Sequence, residues 1–137
     1  MITNALITIF NRKRRGRESV LIPTVISDAS WFYGRSSSAG QYSEGQGSFK
    51  VRIPYGADTS GKTYVEPWEW KDLTDEQASE CWTIQMDDIV VRGEMSGTVT
   101  DQTDITSATE DCFVVNEFAN NTIRGSDMVK HWRIGGV

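Results

Sequence analysis

One histidine, two cysteines and three small groups of acids are the residues of this 137-residue chain best suited to chemistry. His131 could act as a general base, but a triad also needs a nucleophile and an orienting acid brought to it. It stands beside Trp132, with no Ser or Cys near it in sequence, and reads as a packing or edge residue of a terminal strand. The pairs Asp87–Asp88 and Asp101/Asp104 offer oxygen ligands for Ca²⁺ or Mg²⁺. Neither follows the EF-hand loop spacing, and Asp88 fits better as a residue that closes a turn. Glu66, Glu69 and Asp72 fall at helical spacing, but acids on one surface need a cleft and a raised pKa to cleave a glycoside. Cys81, Cys112 and His131 are too few for a typical zinc site. Gly40, Gly45 and Gly47 precede a strand, where a phosphate loop needs a helix N-terminus. The expectation is no enzyme, no cofactor and no metal.

Charge is more informative. The net charge is −5 but unevenly spread. Arg12, Lys13, Arg14, Arg15 and Arg17 lie within one short stretch, while residues 58–88 are rich in acids. A chain with a basic tip and an acidic flank can meet copies of itself head to side, and two solvated loops are the plainer alternative. The basic cluster could also contact phosphates in a salt-dependent, non-specific way. No aromatics are interleaved with it, so base stacking is not indicated.

The elements that must position these residues are short and β-like. Residues 5–10 and 20–26 read as strands, the second interrupted by Pro23, which suits an edge or a bulge. Trp31 begins a third. Residues 48–55 alternate cleanly, Phe49, Val51 and Ile53 against Lys50, Arg52 and Pro54. Residues 82–85 and 88–93 read as strand, tight turn, strand; residues 112–118 and 131–134 complete the set. Pro67 suits a helix first turn, and Thr74 with Gln77 has capping-box spacing, so one short helix is expected there. Long loops are expected at 34–47 and 94–111. The result is a single all-β domain over 1–137, a small β-barrel or sandwich of about seven or eight short strands. Hydrophobic residues are 38% of the chain, so five Trp, four Tyr and five Phe must supply much of the burial. No apolar run reaches membrane-spanning length. The start MITNALITIF lacks signal-peptide features, so a cytoplasmic site of synthesis with two free thiols is expected.

Taken together, MITNALITIFNR, the Trp of the third strand, Val51–Pro54 (VRIP), the stretch Pro67–Ile84, Asp88–Glu94 (DIVVRGE) and the closing HWRIGG resemble a family of small minor capsid proteins of Firmicutes tailed phages and prophages. The resemblance covers nearly the whole chain. A more distant one is to the head-closure, or stopper, proteins of the phage head-tail connector, carried by Ile53-Pro54-Tyr55 and Asp88–Gly93. It implies a homo-oligomeric ring, a hexamer or dodecamer, between portal/adaptor proteins and the tail terminator or tail tube. It further implies proximity to packaged double-stranded DNA and a place in the virion neck. By the same resemblance, residues 34–47, with Gly34, Arg35, Gln41, Tyr42, Glu44 and Gly47, would enter the channel or an adjacent ring. The tip Arg12–Arg17 would touch a neighbour. This chain departs from the stopper pattern in its helical insertion (Pro67–Glu80) and its long 94–111 loop, which leaves adaptor or tail-terminator roles open. Two other classes compete: a small nucleic-acid-binding β-barrel that grips phosphate through RKRRGR, and a small β enzyme or carbohydrate-binding module using Trp68 and Trp70.

Overall fold

The alternating apolar and β-branched segments form eight strands in the computed structural model, which describes residues 3–35, 47–123, 125 and 129–137. They are β1 (Ala5–Arg15), β2 (Glu18–Arg35), β3 (Gly47–Pro54), β4 (Thr63–Tyr64), β5 (Cys81–Trp82), β6 (Ile89–Arg92), β7 (Cys112–Asn121) and β8 (His131–Gly136). Six close into an antiparallel barrel in the order β1-β2-β3-β8-β7-β6, with β6 returning to β1. Closure removes the sheet edges that would otherwise pair with other chains. The barrel interior is filled by Ile7, Ile9, Ile26, Trp31, Val51, Ile53, Trp82, Val90, Phe113, Val115, Trp132 and Ile134, all buried.

β2 is a single strand of 18 residues, so the second and third strands expected from sequence are continuous. It changes partner midway. Glu18 to Ala29 pair with β1, and Ser30 to Arg35 pair with β3. The switch falls at Asp28, whose φ of 62° lies in the left-handed region, and beside a register shift between Ala5 and Ile7. An extra residue there makes a bulge, which bends the strand around the barrel wall. Pro23 lies in the half of β2 that no strand flanks on its second side, so its missing N–H disturbs no ladder.

Beyond the barrel wall, β1 and β2 continue as a two-stranded arm. Each face of the arm is covered by a segment outside the barrel. On one face, Val20 and Ile22 pack against Trp70, Ala78, Val65 and Leu73. These come from α1 (Pro67–Trp70), α2 (Asp75–Ala78) and their flanks. On the other, Phe10, Leu21, Ile89 and Val91 pack against Ile105, Val99 and Met95 of residues 94–111. That covering explains why β1 is buried on both faces from Ile7 to Asn11.

Several sequence expectations need correction. Three short helices form among the described residues where one was expected: the 67–80 stretch divides into α1 and α2, and 94–111 is not an open loop but holds α3 (Thr103–Thr106), buries Ile105 and bridges Val99 to Leu21. Residues 82–85 are not the partner of β6. Only Cys81–Trp82 is strand, and it pairs in parallel with β4. The turn at 85–88 does form, with Asp88 N donating to Gln85 O at 3.2 Å.

Candidate functional site: an interaction surface

The basic tip is a strand-end hairpin. Arg15 pairs with Glu18 across a turn holding Gly16 at φ 63°. Its five cations do not act as one patch. Lys13 is buried and its Nζ donates to Lys71 O at 3.1 Å. Arg15 Nε lies 3.1 Å from Asp75 Oδ1, so part of the tip already meets the acidic flank of its own chain. Arg12 is half-buried, and its Nη2 donates to Gln102 Oε1 at 3.3 Å. Arg14 and Arg17 remain exposed.

Where β6 ends, the arm's edge at Asn11 and Arg12 has no strand beside it, and side chains take over the ladder. Asp88, wholly buried, accepts from Arg12 N at 2.9 Å and from Asn11 Nδ2 at 2.8 Å. Gln85 Nε2 and Trp70 Nε1 both donate to Arg12 O at 3.0 Å. Asn11 also exchanges bonds with the Thr83 backbone, at 2.6 and 3.0 Å. Burial pushes the Asp88 carboxyl up to about 7, against the bonds from Arg12, Asn11 and Gln85 that favour its charge. A cleft of about 240 Å³ lies beside this clasp, lined by Lys13, Trp70, Gln85 and Asp88 among others. Asp88 thus closes its turn, as its type suggests, and also holds the arm to the barrel.

The remaining chemical candidates are engaged within the fold or stand apart from one another. His131 Nδ1 lies 2.8 Å from Val129 O, and its Nε2 lies 3.3 Å from Asn121 Nδ2 across the β7–β8 pair. Asp101 Oδ1 accepts from Thr103 N at 3.0 Å, which holds its carboxyl below the usual value. Glu66 accepts from Asn120 Nδ2 at 3.0 Å and precedes α1. Among the described residues no three His, Cys, Asp or Glu converge as metal ligands. Trp70 is buried, so Trp68 and Trp70 do not form a joint sugar platform; Trp68 alone is exposed. Cys81 and Cys112 are free and half-buried, both pushed up first by burial.

Gly34, Arg35 and Gly47 are strand residues, not loop: Gly34 pairs with Ser48 and Arg35 with Gly47. Gln41, Tyr42 and Glu44 lie outside the described residues. The β2–β3 hairpin is therefore paired to the foot of the 36–46 connection.

Sequence reasoning missed the outer face of β2–β3–β8–β7. Its rows run Phe32, Lys50, Gly135, Glu117 and Ser30, Arg52, Arg133, Ala119. Lys50, Arg52 and Arg133 are exposed, and Phe32 is 62% exposed. Arg52 and Arg133 stand directly opposite each other, a pairing that costs stability. Among the described residues neither has a carboxylate within 4 Å, whereas Arg15 is paired with Asp75. The face carries one acid, Glu117, whose side chain lies over Gly135. A groove of about 270 Å³ beside Phe32 is lined by Ser30, Phe32, Lys50 and Arg52. The alternation of residues 48–55 shows that Lys50 and Arg52 share a face, but position 133 joins them only through the register of β8.

A small closed antiparallel β-barrel is the class that this geometry defines. The chain belongs to a family of unknown function (DUF6751), whose model matches residues 2–137. No curated protein and no solved structure matches it.

Proposed function

We propose that the chain is a structural subunit of the tailed-phage neck, a head-closure ring protein that joins portal and adaptor to the tail and helps retain packaged DNA. The observation that carries this reading is the β2–β3 hairpin. Its strands stay paired to Arg35 and Gly47, so the 36–46 connection begins and ends on neighbouring strands of the barrel wall. A two-residue turn would join such strands, so the extra length serves something other than the hairpin. The resemblance of Val51–Pro54 and Asp88–Glu94 to phage minor capsid segments, and of Ile53-Pro54-Tyr55 and Asp88–Gly93 to stopper segments, supports the same role. Exposed Arg14 and Arg17 are the tip residues available to a neighbouring protein.

The test is to replace residues 36–46 with Asn-Gly in the phage genome. The barrel should keep its melting temperature within a few degrees, because loop entropy changes slowly with length. Heads should fill and then lose DNA or fail to take tails. Full infectivity of the shortened phage would remove the reading. A second reading, a nucleic-acid-binding barrel, is favoured by exposed Phe32 beside Lys50, Arg52 and Arg133. It predicts retention of single-stranded DNA by the isolated protein at low salt.

A further inference from the structure

We propose that the Phe32–Lys50–Arg52–Arg133 face is the docking site for the acidic α1–α2 segment of a second copy of this chain, with Trp68 of that copy seated in the groove beside Phe32. This deepens the neck reading by naming the contact between subunits. The first support is charge. Arg52 and Arg133 face each other across β3 and β8, and among the described residues no carboxylate lies within 4 Å of either to offset their repulsion. The α1–α2 segment carries the opposite sign: Glu69, Asp72, Asp75, Glu76 and Glu80 are exposed there, against one exposed base, Lys71. Among the described residues, Asp75 is the one of these acids held by an arginine of its own chain.

The second support is shape. Trp68 is 66% exposed although its neighbour Trp70 is fully buried. The groove lined by Ser30, Phe32, Lys50 and Arg52 has about 270 Å³, room for an indole. A tryptophan entering it would meet an aromatic ring at one wall and cations at another, which favours it through stacking and cation–π attraction. Buried Trp and Arg residues surrounded by a charged rim are the usual energetic centre of a protein interface. The two surfaces are different parts of the chain, so a contact that is not reciprocated within one pair is heterologous, and a heterologous contact whose rotation closes generates a ring.

The experiment uses the purified full chain. Sedimentation velocity and chemical cross-linking over a rising concentration series should show self-association of the wild type that weakens with salt. Arg52→Glu with Arg133→Glu, and separately Trp68→Ala, should each weaken it at least about tenfold, with melting curves that show a folded barrel. Asp72→Arg with Glu76→Arg should do the same. Mixing the two charge-reversed proteins should restore association, because each then offers what the other lacks. A wild type that stays monomeric at the highest concentration would overturn the proposal, as would reversed variants that associate like the wild type. So would a reversed face that loses DNA binding while association is unchanged. Association through these faces in a protein that virions lack would instead retain this contact and remove the neck role.

Discussion

Asp88 joins Asn11 and Arg12 of β1 to Gln85 through one buried carboxyl group. It is buried without a cation against it, so its proton is held up to about 7 while the unfolded chain releases it near 3.8. The folded state therefore binds more protons across that window. The contribution of Asp88 to stability is full below the unfolded value, declines as pH rises, and is gone above the folded value. The slope is at most about 1.4 kcal/mol per pH unit. Denaturant midpoints measured from pH 5 to pH 8 should fall, and Asp88→Asn should flatten that trend. The amide variant should also be less stable at pH 5, since Arg12 N and Asn11 Nδ2 both need an acceptor there. At Gly136, an added Cβ would collide with the Val114 carbonyl and the Phe113 ring. Gly136→Ala should destabilise by about 1–3 kcal/mol through forced backbone movement between β7 and β8, read as a lower melting temperature.

At the level of elements, α2 shows how much local sequence decides. Thr74 Oγ1 accepts from Gln77 N at 3.2 Å while Gln77 Oε1 accepts from Thr74 N at 3.0 Å, the reciprocal cap that their spacing announces. Thr74→Ala should cost about 1 kcal/mol and lower the melting temperature by a few degrees. The alternation of β3 was equally plain, with Phe49, Val51 and Ile53 facing inward and Lys50 and Arg52 outward. What escaped was everything set by distant partners. Residues 94–111 have a loop composition, yet Ile105 is buried because Phe10 and Leu21 offer it an apolar face. Residues 82–85 have strand composition, yet their backbone is taken by the Asn11 side chain and by β4. The basic face was invisible for the same reason, since Arg52 and Arg133 are joined only by register. The tip was legible as a hairpin, but not the burial of Lys13 or the pairing of Arg15 with Asp75.

At the level of the whole molecule, the tip's contacts change what a charge reversal tests. Arg15→Glu would place like charges together at Asp75 and mix an internal effect with an external one. Arg14→Glu with Arg17→Glu touches only exposed positions, so the monomer should melt within about 0.5 kcal/mol of the wild type. If the tip docks on a neck neighbour, virions carrying that pair should lose tails. The barrel's strand order also sets its kinetics. β8, late in the chain, lies between β3 and β7 and is hydrogen-bonded to both. A nascent chain lacking it would present two open strand edges at once, and no earlier segment in the order can seal them. Barrel closure thus waits until β8 has been made, and nascent chains that lack it are the species most exposed to edge-to-edge aggregation.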